Sequence, residues 1–401
     1  MSNLKKHKFS DLYDISSGIS SKPEQAGHGF PFLSFSSVFN NHFLPMPLPD
    51  LMDTSEKERE TYSIKQGDIF LTRTSETLDE LAMSSVAISD IENATYSGFL
   101  KRLRPKQSTA TYPKFMAFYL RSKLFRNTMK NNAIMTLRAS FNEQIFSYLD
   151  LLLPEYDEQK NIGDLLFLLE EKIDLNNKIN AELEGMAKLI YDYWFVQFDF
   201  PDANGNPYKS SGGNMVFNEE LKREIPAGWS DGKIENIIGK VPRTTKIPSK
   251  EFKENGIIPV IDQSQTYICG FTDDETSRIN PNTAHIIFGD HTRVVKLVNF
   301  DYARGADGTQ VLIANSEEVP SYLLYQLISD IDLSNYGYAR HYKFLKDSKC
   351  IIPDATIAGQ YQSTVTDWFE TIKLNITQNY ELQRLRDWLL PMLMNGQVAV
   401  R

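Results

Sequence analysis

The sequence predicts an α+β protein: two mixed α/β globular units separated by two long antiparallel helices forming a coiled coil, with a pseudo-two-fold internal repeat. Three observations predict it. Sliding the chain so that Leu152 meets Ile351 lays Leu152-Leu153-Pro154-Glu155 on Ile351-Ile352-Pro353-Asp354, without a gap for about forty residues. In the same register Glu171, Ile173, Asn176, Asn180 and Leu183 fall on Glu370, Ile372, Asn375, Asn379 and Leu382. Both copies carry a seam spaced by alternating threes and fours, the pattern of a coiled-coil helix. Between the copies, residues 199–228 are rich in Pro, Gly, Asn and Ser, as in an exposed connection.

The elements follow in order. Residues 1–153 form the first globular unit, where period-2 runs broken by Gly, Pro and Asn read as strands and 112–131 reads as a helix. The apolar strand 149–153 ends at Pro154, and 154–198 is the first long helix. From 157 to 195 it would span about 58 Å at ~1.5 Å per residue. Its seam runs through Leu166, Leu169, Ile173, Asn176, Asn180 and Leu183. Residues 199–228 are the linker, and 229–352 the second globular unit, with a helix at 320–331. Residues 353–401 hold the second long helix and a tail, with a seam through Val365, Trp368, Ile372, Asn375, Asn379 and Leu382. An antiparallel pair puts Asn180 opposite Asn375 and Asn176 opposite Asn379; polar pairs in an apolar seam fix register at some cost in stability. The globular units also resemble each other: Phe9-Ser10-Asp11 answers Trp229-Ser230-Asp231, and 67–73 answers 283–289.

Composition bounds the function. At 401 residues and 46.0 kDa, with 41% hydrophobic and 24% charged residues, the chain is neither disordered nor fibrous. The densest apolar run, 165–169, is far short of the ~18–20 residues of a membrane span, and Met1 to Lys8 carries no secretory apolar region. Two cysteines, Cys269 and Cys350, form no motif, which points to a reducing cytoplasm. The net charge is −9, yet residues 151–200 hold 4 basic against 11 acidic residues, and 93–142 hold ten basic residues and no acid. That run is either a solvated basic face or part of a binding field.

Catalytic signatures are absent. There is no phosphate loop and no dinucleotide fingerprint, and Asn206-Pro207-Tyr208 lacks the second proline of an adenine-methyltransferase tetrapeptide. The six histidines show no metal-ligand spacing. Asp202, Glu220 and Lys222 fit a loose metal-nuclease pattern, but they lie in the linker rather than on adjacent strands. Groups suited to DNA are plentiful in both units. In the first they are Thr72, Arg73, Thr74, Ser75, Lys101, Arg102, Arg138, Ser140 and Asn142. In the second they are Arg243, Lys246, His291, Arg293, Arg340, His341 and Lys343. Arg can grip guanine bidentately and Asn adenine, while Ser, Thr and Lys anchor phosphate.

The whole layout resembles the specificity (S) subunit of type I restriction-modification systems. The carriers are the two repeated helices, Ile225-Pro226-Ala227-Gly228-Trp229 at the opening of the second half, and Gly67-Asp68-Ile69-Phe70 before a polar loop. Pro-x-x-x-Glu-Gln at the helix start is typical of that family. The first copy has it at Pro154, Glu158 and Gln159; the second has Pro353 but Ile357-Ala358. The resemblance implies a non-catalytic reader of double-stranded DNA. Each globular unit would be a target-recognition domain for one half of a bipartite, asymmetric site. The helices would set the gap and dock two modification subunits, with restriction subunits joining the complex. S-adenosylmethionine, ATP and Mg would belong to those partners, with no cofactor or metal in this chain and no membrane. Acidic helix residues Glu158, Asp164, Glu170, Glu171, Glu182 and Glu184 would face partners. The alternative is a stand-alone DNA-reading nuclease or methyltransferase.

Overall fold

Each half of the chain opens and closes on one two-stranded ladder. The structure, a computed structural model, describes residues 4–20, 22–75, 80–132, 139–141, 143–241, 244–306, 308–315, 318–337 and 340–400. The chain divides into two units: Met1–Leu175 with Gln378–Arg401, and Asn176–Thr377.

In the first unit, strand Lys5–Lys8 pairs antiparallel with Asp150–Leu153, so the chain leaves the unit where it entered. Between them lies a four-stranded antiparallel sheet in the order Tyr13–Ser17, Leu100–Pro105, Ile69–Thr72, Ser84–Val86. A three-stranded sheet follows the order Asp50–Met52, Ala26–Leu33, Thr95–Tyr96, and its last pair is parallel. Strand Ile69–Thr72 is buried on both faces. Ile69 and Leu71 pack with Phe115, Phe118 and Phe125, whereas Phe70 packs with Leu33, Tyr96 and Leu100. Adjacent side chains leave a strand on opposite faces, so double burial produces a continuous apolar run rather than an alternating one.

The second unit repeats this plan. Ser230–Lys233 pairs with Lys349–Ile352. The four-stranded sheet runs Ile238–Lys240, Thr309–Ala314, His285–Gly289, Val295–Val298. The companion sheet runs Gly270–Thr272, Ile258–Ile261, Tyr302–Arg304, Arg278–Ile279, again with one parallel pair. Strand His285–Gly289 also sends alternate residues into two cores, Ile286 and Phe288 into one and Ile287 into the other.

The first long helix, Tyr156–Tyr191, has 36 residues and ends in a π turn, Asp192–Val196; the second, Ala355–Met394, has 40. At ~1.5 Å per residue they measure about 54 and 60 Å. In the second unit Asn375 Nδ2 donates to Asn180 Oδ1 at 2.8 Å, and Tyr361 Oη donates to the Ala187 carbonyl at 3.1 Å. In the first, Arg386 Nη1 meets Glu170 Oε1 at 2.6 Å, and Asn161 Nδ2 donates to the Val400 carbonyl at 3.4 Å. In each unit one helix rises in number as the other falls, so the helices are antiparallel. Leu169, Ile173, Asn176, Ile372 and Asn379 are buried, and Asn180, Leu183, Trp368, Asn375 and Leu382 are half-buried. Phe369, beside Trp368, is the more deeply buried ring and stacks on Tyr322 at 4.5 Å.

The helix starts explain the broken Glu-Gln motif. In the first copy Gln159 is buried, its Oε1 accepts the Tyr112 N–H at 2.9 Å, and its Nε2 donates to the Pro154 carbonyl at 3.0 Å. One turn on, Gly163 lies so close to the helix Pro113–Tyr119 that a Cβ would meet Phe115 N at 2.6 Å. In the second copy the order is reversed. Ala358 is buried, and Gln362, one turn on, accepts the Tyr322 N–H at 3.1 Å. Asp354 caps this helix by accepting the Thr356 N–H at 2.9 Å.

Several expectations are corrected. Residues 112–131 form two helices, Pro113–Tyr119 and Lys123–Asn132, because Ser122 Oγ donates to the Tyr119 carbonyl at 2.6 Å and so ends the first. The Phe9–Trp229 correspondence is displaced. Phe9 follows its ladder strand and opens a short helix, as Ile234 does, whereas Trp229 precedes its strand. The segment 199–228 is not a bare exposed connection. Phe200 stacks on Tyr208 at 4.6 Å and on Trp229 at 5.0 Å, and Met215–Asn218 pairs with Arg223–Pro226 as a hairpin. Its aromatic residues, outweighed in composition by Gly and Asn, drive this packing.

Candidate nucleic-acid interface

In both units three distant chain segments meet through the same pair of backbone hydrogen bonds. In the first, Arg73 follows the central strand, its N–H donates to the Phe99 carbonyl at 2.9 Å, and the Phe141 N–H donates to the Arg73 carbonyl at 2.9 Å. In the second, Asp290 follows the central strand, its N–H donates to the Gly308 carbonyl at 2.7 Å, and the His341 N–H donates to the Asp290 carbonyl at 2.8 Å. The junction therefore gathers the turn after one sheet strand, the approach to its neighbour, and the segment before the last short helix.

Around the first junction, Thr74–Ser75 pairs antiparallel with Ala139–Ser140, which joins the two polar loops singled out from the sequence. Arg73 is exposed and Thr74 half-buried. Arg138 and Asn142 lie outside the described residues, as does Arg243 in the second unit. Around the second junction, His291, Arg293, Arg340 and Lys343 are exposed. Asp290 Oδ1 accepts the Tyr342 N–H at 2.8 Å, and Gln263 Oε1 accepts the His291 N–H at 3.1 Å. Arg293 holds a φ of 62° and donates from Nη1 to the Leu333 carbonyl at 3.2 Å. Exposed Lys246 is adjacent to Ile247, whose carbonyl accepts the Ala306 N–H at 2.8 Å.

Four sequence candidates are internal. Thr72 is fully buried and its hydroxyl accepts the Met83 N–H at 2.9 Å. Lys101 is buried, with Nζ donating to Ser17 Oγ at 2.8 Å. Arg102 is buried and donates to the Ser63 carbonyl at 2.7 Å; burial lowers its pKa. His341 is buried, with Nδ1 3.1 Å from the Asp290 carbonyl and Nε2 2.9 Å from that of Tyr336. A charged or polar side chain next to a turn reads as solvent-facing in sequence, whereas these point into the fold.

The same correction applies to much of the basic run 93–142. Arg104 forms a fork with buried Asp68, at 2.8 Å to Oδ1 and 2.6 Å to Oδ2. Lys106 donates to the Ser10 carbonyl at 2.9 Å, and Lys114 lies 3.2 Å from Asp164 and 3.9 Å from the Phe167 ring centre. Arg121 donates to the carbonyls of Ser84, Val38, Phe39 and Asn41 at 2.7–2.9 Å, and burial brings its pKa down to about 10. These charges tie neighbouring elements of the fold together. On the long helices, Asp164 and Glu170 are likewise engaged within the fold, by Tyr112 at 2.6 Å and by Arg386 at 2.6 Å.

The nuclease-like triplet is also structural. Asp202 Oδ1 accepts the Asn204 and Asn206 N–H groups, both at 2.8 Å, and Glu220 pairs with Lys349 at 2.6 Å. Lys222 pairs with Glu219 at 3.1 Å. Among the described residues no group of acidic, His or Cys side chains is arranged to hold a metal, and no helix is long and apolar enough to cross a membrane.

Known proteins share this plan. The family described as the type I restriction modification DNA specificity domain matches residues 1–185. The MjaIX specificity subunit of Methanocaldococcus jannaschii is 23% identical over 422 residues, covering 98% of this chain and 93% of that one. The HindI specificity subunit of Haemophilus influenzae is 24% identical, covering 96% of this chain and 98% of its own. The crystal structure of a type I restriction-modification S subunit from M. genitalium has the same fold, with a TM-score of 0.58 at 14% identity over 98% of this chain and 96% of that one. With a domain match over residues 1–185 and relatives aligned along nearly the whole length, the chain is similar to the specificity subunits of type I restriction-modification systems.

Proposed function

We propose that this chain reads a bipartite, asymmetric site in double-stranded DNA, one half-site per junction, and performs no chemistry itself. Adenine methylation would be carried out by two modification subunits using S-adenosylmethionine, and cleavage by restriction subunits using ATP and Mg. The observation that carries the reading is the repeated junction: one backbone scaffold, with Arg73 and Thr74 around it in the first unit and Arg293, Arg340 and Lys343 in the second. A duplicated scaffold with different side chains suits two different half-sites, since base edges are read by side chains and positioning is left to backbone and phosphate contacts.

Docking of modification subunits is supported by a second apolar stripe along the first long helix and the π turn that ends it, away from the buried seam. Leu168, Leu175, Ile179, Met186, Leu189, Tyr193 and Val196 are exposed and recur at intervals of three, four and seven. Exposed apolar stripes of this size mark protein contacts. Leu189→Glu should abolish co-purification with the modification subunits while leaving the chain folded.

The reading is tested with the assembled complex and duplexes in which either half-site is scrambled. Arg73→Ala should weaken binding through the first half-site only, and Arg340→Ala through the second only. A guanine contact would cost ~1–3 kcal/mol at one base pair, and a phosphate contact would flatten the salt slope for all sequences. Equal effects of every substitution on both half-sites would show that the two junctions are not separate readers.

A further inference from the structure

Phe99 is an exposed aromatic side chain at the first junction. The residue is 68% exposed, although Leu100 beside it is fully buried. The backbone around it is tightly held. Gly98 N–H donates to the Ile19 carbonyl at 2.7 Å, Phe99 N–H to Ser97 Oγ at 3.2 Å, and Leu100 N–H to the Ser97 carbonyl at 2.9 Å. The Phe99 carbonyl receives the Arg73 N–H at 2.9 Å, so two residues with exposed side chains are backbone neighbours across one hydrogen bond. A Cβ at Gly98 would meet the Ile19 carbonyl at 2.8 Å, which keeps the turn close to its neighbour.

The second junction differs at this position alone among its three hydrogen-bonded partners in having no side chain. Gly308 stands there with a φ of 68°, and a Cβ would lie 2.5 Å from Gln263 Nε2. The scaffold is thus common to the two units, while the group beside it is a phenyl ring in one and a carboxamide lying against a glycine in the other. Leaving such a ring in water forgoes the stabilisation that burial would give it. A turn held by four hydrogen bonds of its backbone that leaves this ring in solvent, one backbone contact from exposed Arg73, is arranged for an external contact.

We propose that Phe99 is a specificity-determining residue of the first site, making an apolar contact to a base next to the group bound by Arg73. The inference rests on the DNA-reading function proposed above. Apolar side chains meet DNA either at a thymine methyl group or as a wedge against an unstacked base. Replacing each thymine of the first half-site by deoxyuridine removes the methyl alone, and 2-aminopurine fluorescence reports unstacking, so the two forms of the contact separate.

The test measures discrimination between the cognate duplex and one scrambled in the first half-site, using the assembled complex with Phe99→Ala and Phe99→Leu. Phe99→Ala should reduce discrimination about tenfold, equivalent to ~1.4 kcal/mol. Its salt slope and its discrimination at the second half-site should stay unchanged, because the ring carries no charge. Phe99→Leu should recover part of the loss. If wild type itself shows no sequence discrimination, the DNA-reading function is wrong. If wild type discriminates and Phe99→Ala does so equally well, the assignment of Phe99 is wrong. Lost assembly with modification subunits at unchanged discrimination would also overturn it, in favour of a protein contact.

Discussion

Arg121 shows how a charge can serve the fold rather than a ligand. It gathers four carbonyl groups, three at the end of the helix Phe35–Asn40 and one from the strand Ser84–Val86. Arg121→Leu should lower stability by about 2–4 kcal/mol in urea unfolding, because the carbonyls lose their donor inside the structure. Arg73→Ala, at an exposed position, should leave stability nearly unchanged. His42 adds a pH dependence. Its ring is tilted against Phe118 at 5.4 Å, and burial, with Arg121 and Arg386 nearby, brings its pKa down to about 3. The unfolded chain binds a proton near pH ~6.5, whereas the folded chain does not. The stabilisation is therefore complete above about pH 6.5 and declines as the pH falls toward 3. Urea midpoints measured between about pH 7.5 and 5.5 should fall for wild type and be flatter for His42→Gln. Sequence alone marked Arg73, Arg293, Arg340 and Lys343, which are exposed, and equally Thr72, Lys101, Arg102 and His341, which are not. Residue type does not report the direction of a side chain. For Thr72 the signal was present, since it continues the doubly buried strand Ile69–Thr72. Phe99 is not legible in the sequence, because one phenylalanine before a strand looks like part of the core.

At the scale of elements, the long helices were the most legible, because a heptad pattern is local and depends on residues three and four apart. The Asn180–Asn375 hydrogen bond tests what the polar seam does. Asn180→Leu should destabilise by ~1–3 kcal/mol by removing the acceptor of a half-buried amide. The Asn180→Leu, Asn375→Leu double variant should recover most of that loss, and a double-mutant cycle in urea measures the coupling. Coupling near zero would mean that the pair contributes nothing to register. The exchange between Gln159 with Gly163 and Ala358 with Gln362 was not legible. Its logic lies in the N–H groups of Tyr112 and Tyr322, which are far away in sequence. The hairpin Met215–Asn218 with Arg223–Pro226 was hidden for a related reason: turn-forming residues dominated the composition, whereas a few aromatic rings determine the packing.

For the whole molecule, the proposed function requires two readers of one repeated plan to recognise two half-sites at a gap set by the paired helices. A single turn inserted into one helix would shift the seam, so the direct test inserts seven residues into each helix, after Ala181 and after Lys373. This keeps the heptad phase and lengthens the pair by ~10 Å, about three base pairs at ~3.4 Å each. The measurement is methylation mapping in cells carrying the modification subunits with either the natural chain or the double insertion. The natural chain should give a two-part asymmetric motif with a fixed gap, and the insertion should give the same two half-sites with the gap longer by about three base pairs. An unchanged gap, altered half-sites, or a single uninterrupted motif from the natural chain would contradict this requirement.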